Sequence, residues 1–187
     1  AKPIVVYGNL RVDTLATLTM AAGTTVYFRD EARLDVFGRL ITEGEAGREV
    51  TLRGYRLDRM FDYLPYDRIS GQWGGVCFHE SSYDNELNFT DLHSAFDGVV
   101  CDSCNTDRLT LRMTASTVHN CQGYGLLCES AWIELFNCQL SNTFKDCLSA
   151  SGGVVVMNNC TLAQFYPYDS ARGVALRFTA EQSPLEF

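Results

Sequence analysis

Short stretches in which apolar and polar residues alternate recur along most of the chain, at intervals of 22 to 26 residues. One set of equivalent apolar positions is Leu92, Val118, Leu140 and Leu162. Two positions before each comes a small residue, at Thr90, Ser116, Cys138 and Cys160, and five before comes Leu87, Met113, Leu135 or Met157. Alternation with a period of two predicts β-strands, and no segment sustains the 3.6-residue apolar stripe of a helix.

Each repeat contains three such strands, which are separated by turn residues. The first strand of successive repeats begins at Gly75, Gly98, Gly125, Cys147 and Gly173. Three short strands per repeat, each pairing with its equivalent one repeat later, predict an all-β fold, a single-stranded right-handed parallel β-helix. Neighbouring coils of such a solenoid lie about 4.8 Å apart, so equivalent side chains stack on one another.

The cysteines occupy inward positions in this scheme. The first strand of each repeat predicts an inward stack of Phe78, Cys101, Cys128, Ala150 and Leu176. On the third strand, Cys138 and Cys160 occupy the positions of Thr90 and Ser116, so we interpret cysteine as a small filler of a narrow core. The Asn before each of them is placed at a bend, because Asn tolerates the left-handed backbone conformation better than most residues.

Two other uses of cysteine are less favoured. Stacked Cys138 and Cys160 fall within the Cα separation of a disulfide, about 4.4–6.8 Å, but their Cα–Cβ bonds run parallel rather than converging. Cys101 and Cys104 form a lone C-x-x-C pair with no second pair at zinc spacing. We therefore expect the 8 cysteines to be free thiols.

The length of 187 residues suits one domain, and we predict a single β-helix domain over residues 1–187. Residues 4–54 are expected to form N-terminal capping coils, residues 55–72 a projecting loop, and residues 73–179 the regular coils. In the capping region Leu18, Leu34 and Val50 recur at steps of 16. That spacing predicts a looser repeat than in the rest of the chain.

Charge and hydropathy exclude some partners. A net charge of −8 and a pI near 4.8 argue against nucleic acid, which requires clustered Lys and Arg. No apolar run approaches the roughly 18–20 residues that would cross a bilayer. The chain opens with Ala-Lys-Pro and shows no signal peptide, a start that a trimmed export segment would also leave.

Most of the chain carries a family resemblance, and its most specific part is LPYDRISGQWGG. The stretches LTMAAGTTVYF, ARLDVFGRLITEGEAGREVTLRGYRLD and LPYDRISGQWGGVCF resemble bacterial right-handed parallel β-helix repeat proteins of uncharacterised function. The fold is distantly similar to that of pectate lyases and polygalacturonases. The resemblance implies a β-helix that is exported, extracellular or at the cell surface, with the periplasm as the other location. It implies no established activity.

The segment at residues 54–74 is the largest interruption of the repeat, and insertions in solenoids often form the binding side. Aromatic rings interleaved with Asp and Arg suit sugar recognition, because rings cover the apolar sugar face and charged groups bond to hydroxyls. The candidate binding residues are Asp62, Tyr63, Tyr66, Asp67, Arg68 and Trp73. The alternative is that the loop packs over a sheet or an end of the solenoid, with aromatic residues inward and Asp–Arg pairs anchoring it.

A second candidate site is a predicted outward column on the first strand. Its members are His79, Asp102, Glu129, Ser151 and Arg177. Asp102 and Glu129 would be neighbours, and two carboxylates about 5 Å apart suit a retaining glycosidase or a Ca²⁺ site. A solvated polar face is the simpler interpretation. No other cofactor is expected.

Two of the three histidines are equivalent in the repeat. His93 and His119 each follow an inward apolar residue and should point outward on adjacent coils. The spacing brings no carboxylate or cysteine clearly beside them, so no metal site is predicted here.

We favour an exported, non-catalytic module for surface or carbohydrate interaction, with an extracellular polysaccharide as partner. One alternative is a polysaccharide lyase or glycoside hydrolase that uses Asp102 and Glu129. Another is a structural spacer or adhesin stalk. Few residues follow the last repeat, so end-to-end self-association at the C-terminal coil is a further option.

Overall fold

The chain winds into a parallel β-solenoid of about 7 turns, as the repeat predicts. The computed structural model describes residues 3–102, 104–166, 169–180 and 184–187. Within that part of the chain, the only helical segment is one 3-10 turn, Tyr66–Arg68. No helix in the described residues is long and apolar enough to span a membrane.

Each full turn contributes one strand to each of three faces. Face 1 contains β2 (Leu10–Val12), β5 (Arg33–Val36), β10 (Gly75–Phe78), β13 (Val99–Cys101), the first halves of β16 (Leu126–Phe136) and β18 (Leu148–Asn158), and β20 (Leu176–Thr179). Face 2 contains β3 (Thr17–Ala21), β6 (Arg39–Glu43), β11 (Asn85–Asn88), β14 (Leu109–Thr114), the second halves of β16 and β18, and β21 (Leu185–Glu186). Face 3 contains β1 (Ile4–Val6), β4 (Thr25–Phe28), β7 (Val50–Gly54), β12 (Thr90–His93), β15 (Thr117–Cys121), β17 (Gln139–Thr143) and β19 (Thr161–Ala163).

Face 3 is a 7-stranded parallel sheet, whereas faces 1 and 2 form one 12-stranded sheet that folds along a corner. The two faces are joined because β16 and β18 run through this corner without interruption. Ser130 turns β16 there with φ 51°, and Gly152 and Gly153 turn β18 with φ 67° and 98°. A left-handed residue reverses the alternation of side chains, so both halves of each strand can point apolar groups inward.

The interior consists of stacked apolar residues in the predicted register. Leu92 pairs with Val118, Val118 with Leu140, and Leu140 with Leu162. The stack from Leu87 to Met157 on face 2 is confirmed as well. Leu92, Val118 and Leu140 are buried, and full burial of such a side chain stabilises the fold by about 1.5–3 kcal/mol.

The bend between faces 2 and 3 explains the repeated Asn-Cys pair. The residue at the bend is left-handed in four successive turns, with φ of 43° at Phe89, 49° at Ala115, 55° at Asn137 and 52° at Asn159. The next residue has a small side chain whose hydroxyl or thiol donates a hydrogen bond to the backbone carbonyl two positions earlier. This contact measures 2.9 Å for Ser116, 3.4 Å for Cys138 and 3.4 Å for Cys160. Cysteine therefore fills the core and also supplies a weak donor at the corner.

The 16-residue spacing in the N-terminal region does not correspond to a repeat, so that prediction was wrong. Leu18, Leu34 and Val50 lie on faces 2, 1 and 3. Their true partners stand one full turn away, since Leu18 pairs with Leu40 and Leu34 with Leu10. A step of 16 is about two thirds of a turn, so it joins inward residues of different faces.

The last turn also differs from the prediction. Phe178 stacks on Ala150, and the predicted Leu176 pairs with Leu148 instead. The shift is two residues, which preserves the inward direction, so alternation could not reveal it. At the C-terminus the ring of Phe187 lies 5.0 Å from that of Phe178.

All 8 cysteines are free, and all but Cys160 are buried. We expect 8 thiols per chain to react with a thiol reagent in denaturant without reductant. A smaller number would show disulfides, which this packing does not contain.

The bend predicts opposite effects of two matched substitutions. Ala115 is strained in its left-handed conformation, so Ala115→Asn should raise the free energy of unfolding by about 0.5 kcal/mol, and Asn137→Ala should lower it by about 1 kcal/mol. Urea denaturation measures both. Equal effects of the two changes would contradict this account of the Asn-Cys repeat.

Candidate functional site

The insertion at residues 55–72 leaves the solenoid after β7 and returns at the start of β10. It contains a small antiparallel hairpin of β8 (Arg59–Phe61) and β9 (Leu64–Pro65). At its tip the rings of Phe61 and Tyr63 stack at 5.7 Å, and Tyr63 is 80% exposed. Asp62 is exposed in the same turn. The 3-10 turn then brings Asp67 back to the outer surface of face 3.

Asp67 anchors the loop to the sheet. Its carboxylate lies 2.8 Å from Nε2 of His93 and 2.7 Å from the Arg53 guanidinium, and both residues project from face 3. Its carbonyl accepts a hydrogen bond from the Ser94 hydroxyl at 2.8 Å. The interpretation that an Asp–Arg pair anchors the insertion is therefore correct for this residue.

Trp73 serves packing rather than surface recognition. The indole is 1% exposed and stacks on Phe28 at 4.3 Å. Its N–H donates to the carbonyl of His93 at 2.8 Å. Because its ring is enclosed, the expectation that Trp73 contacts a ligand at the surface was wrong.

A cluster of two imidazoles and a carboxylate lies on face 3 beneath the loop. Leu92 points inward, so alternation along β12 directs Asp91 and His93 outward. His93 pairs with His119 of β15, and their rings stack at 4.9 Å. Asp91 lies between them, with its Oδ1 3.0 Å from Nε2 of His119 and its Oδ2 3.3 Å from Nδ1 of His93.

These charges shift one another's pKa. Burial lowers the pKa of His93, but the hydrogen bond to Asp67 and the nearby carboxylate of Asp91 outweigh burial and raise it to about 9. Burial raises the pKa of Asp91, yet the contacts with His119 and His93 leave it well below its usual range. The hydrogen bond from His93 also lowers the pKa of Asp67. At neutral pH the cluster therefore contains a charged His93 between two carboxylates.

A cleft of about 1020 Å³ lies between the loop and the first turns of face 3. Its walls include the aromatic residues Tyr27, Tyr55 and Tyr66, the cations Arg29 and Arg56, and the acids Asp30, Glu31 and Asp58. Arg56 stacks 3.4 Å from the centre of the Tyr66 ring, and Arg29 5.1 Å from that of Tyr55. The cleft thus combines ring faces with both donors and acceptors.

Of the six predicted loop residues, only Tyr66 lines this cleft. Asp67 and Arg68 lie at a second cavity, of about 390 Å³, next to His119. Asp62 and Tyr63 lie at the hairpin turn, outside both cavities.

The predicted acid column is only partly formed. Cys101 pairs with Cys128, which places the exposed Asp102 and Glu129 at equivalent positions just after them. Ser151 follows in that column, whereas Arg177 pairs with Ser149 and was assigned to the wrong position. Asp102 borders a cavity of about 480 Å³ with His79, whereas Glu129 lies exposed on the surface.

Two groups of described residues bring three metal-ligating atoms within 4.8 Å of one another, Asp91–His93–His119 and Asp35–Cys77–His79. Sequence reasoning paired the histidines but overlooked Asp91. The signal was present, because Asp91-Leu-His93 places two polar side chains on one strand face and His119 is equivalent one turn later.

Comparison with protein families, with curated proteins and with solved structures finds no match. The geometry of the loop, the cleft and the histidine cluster therefore carries the functional interpretation.

The histidine cluster predicts that stability falls at alkaline pH. The pKa of His93 is raised to about 9, so its stabilisation is complete below about pH 6.5 and is lost as the pH rises through about 9. We expect the free energy of unfolding, measured with urea and EDTA present, to fall by about 2–3 kcal/mol between pH 6.5 and 9.5.

The groups facing His93 are Asp67, Asp91, His119 and, through Asp67, Arg53. His93→Gln removes the titrating group and should be less stable at pH 6.5 but nearly independent of pH in this interval. An unchanged slope in that variant would assign the pH dependence to other residues.

Proposed function

We propose that the protein is a non-catalytic carbohydrate-interaction module that binds its glycan in the cleft between the loop and face 3. The observation that carries this proposal is the set of three tyrosines, Tyr27, Tyr55 and Tyr66, around one cleft with charged groups between them. The size of the cleft, about 1020 Å³, accommodates a short oligosaccharide.

The chemistry of the walls suits sugars. Tyrosine rings cover the C–H face of a pyranose, and their hydroxyls reach polar groups at its edge. Arg29 and Arg56 supply hydrogen-bond donors, and Asp30 and Asp58 supply acceptors. The wall contains both cations and anions, which favours hydroxyl-rich ligands over a strongly charged polymer.

The ionisation of Asp58 favours binding over acid catalysis. Arg56 holds this carboxylate through contacts of 3.0 and 2.5 Å. The hydrogen bond from Arg56 outweighs desolvation and lowers the pKa of Asp58. A glycosidase requires one carboxyl group whose pKa is raised so that it can donate a proton. Asp58 has the opposite shift and is better suited to accept hydrogen bonds from hydroxyls.

The resemblance to exported bacterial β-helix repeat proteins supports an extracellular or cell-surface location, and we include that location in the proposal. An extracellular polysaccharide is then the natural partner. We also propose that the fold is distantly similar to that of pectate lyases.

The cleft can be tested with two matched tyrosine–arginine pairs. Tyr66 stacks with Arg56 in the cleft, and Tyr83 stacks with Arg108 at 4.7 Å elsewhere on the solenoid. On a panel of polysaccharides, Tyr66→Ala should weaken binding about 10-fold or more, equivalent to about 1.4 kcal/mol. Tyr83→Ala should bind like the wild type. Affinity electrophoresis measures both.

The remaining outcomes distinguish the alternatives. Release of reducing ends that disappears in Asp102→Asn or Glu129→Gln would replace this proposal with a hydrolase or lyase that uses the acid column. Absence of binding to every glycan tested would favour the structural spacer.

A further inference from the structure

His93 has one ring nitrogen that the fold leaves unsatisfied. Its side chain is 6% exposed, and its Nε2 is hydrogen-bonded to Asp67 at 2.8 Å. Its Nδ1 is buried and has no well-aligned hydrogen-bond partner, although Oδ2 of Asp91 lies 3.3 Å away. Buried polar atoms without a partner are uncommon in folded proteins, and a missing ion is one of the recognised explanations.

His119 directs a second ring nitrogen at the same carboxylate. Its Nε2 lies 3.0 Å from Oδ1 of Asp91, and the ligand atoms of Asp91, His93 and His119 lie within 4.8 Å of one another. Two ligands of a tetrahedral zinc ion, each about 2.1 Å from the metal, are about 3.4 Å apart. The 3.3 Å separation of Nδ1 and Oδ2 already matches that value.

We propose that Asp91, His93 and His119 bind a divalent transition-metal ion, with Zn²⁺ the best match, through Nδ1 of His93, Nε2 of His119 and the Asp91 carboxylate. Two imidazoles and one carboxylate suit zinc better than calcium or magnesium, which prefer oxygen ligands alone. The cation occupies the space between the three side chains.

Asp67 and Arg53 provide the surrounding support that a histidine ligand needs. A histidine that binds metal through one nitrogen usually donates its other N–H to a carboxylate, which fixes the ring orientation. The Nε2–Asp67 bond meets this requirement, and Arg53 holds Asp67 at 2.7 Å. Because Asp67 belongs to the insertion, the metal site also stabilises the docked position of the loop.

The site is accessible from solvent. The side chains of Asp91 and His119 are 32% and 29% exposed. The adjoining cavity, about 390 Å³, is bordered by His119, Gln139 and Ser141. A water molecule from this cavity can complete the four ligands of zinc, as in sites with three protein ligands.

The other cluster, Asp35–Cys77–His79, provides an internal control. Arg33 lies 2.8 Å from the Asp35 carboxylate, so a cation placed there would be repelled. Phe37 covers the His79 ring at 4.0 Å. Burial raises the pKa of Cys77 to about 12, which disfavours the thiolate that a metal requires. We therefore assign one metal site rather than two.

Calorimetric titration of the untagged, EDTA-treated protein with zinc chloride at about pH 8.5 tests this assignment, since ligand deprotonation favours binding at higher pH. We expect one equivalent of zinc per chain. His119→Ala and the nearly isosteric Asp91→Asn should each weaken binding about 100-fold or more, and Asp67→Asn about 10- to 100-fold with unchanged stoichiometry. His79→Ala should bind like the wild type.

Cobalt provides a second measurement that does not depend on heat. Co²⁺ bound at the site should show intense visible absorption of a tetrahedral complex, and this absorption should be lost in His119→Ala. Circular dichroism verifies that each variant is folded. Zinc binding weaker than about 0.1 mM, or binding that His119→Ala and Asp91→Asn leave unchanged, would overturn the proposal.

Discussion

The structure depends on in-register hydrogen bonding between the backbones of successive turns. Parallel pairing stacks each residue on its equivalent, so a side chain has the same neighbours above and below throughout a column. Inside, this constraint sorts leucine, valine, methionine and cysteine into continuous stacks. Outside, it places polar residues at equivalent positions of adjacent turns about 4.8 Å apart, whether or not they attract each other.

That constraint produces the histidine cluster. His93 and His119 stack at 4.9 Å because the pairing of β12 with β15 places them there. Asp91 contacts both rings, and its negative charge offsets the positive charge of His93. The insertion then covers His93 and adds Asp67 to the cluster. Because this cover excludes water, it lowers the local dielectric constant and strengthens the electrostatic interactions within the cluster. A metal ion and protons compete for the same carboxylate and nitrogen atoms.

The loop serves two surfaces at once. Its 3-10 turn contributes Tyr66 to the cleft on one side and Asp67 to the histidine cluster on the other. Because the two residues are adjacent, undocking of the turn would remove Tyr66 from the cleft and Asp67 from the histidine cluster together. Trp73 and Phe28 stack beneath the loop and hold its C-terminal end against the core.

The sequence by itself determined the solenoid, the strand register from Leu92 to Leu162, the bend at Asn137 and Asn159, and the insertion, because period-two alternation and the repeat length are local properties of the chain. Prediction from the sequence failed where local alternation is uninformative. The spacing of 16 residues joins inward positions on different faces, and the two-residue shift at Phe178 preserves the inward direction of the side chain. Only the tertiary structure decided the candidate sites. Asp67 contacts His93, which is 26 residues away in the sequence, and the cleft forms between β4 and the loop. These contacts depend on how an irregular insertion docks on the solenoid, and no periodic pattern in the sequence encodes that.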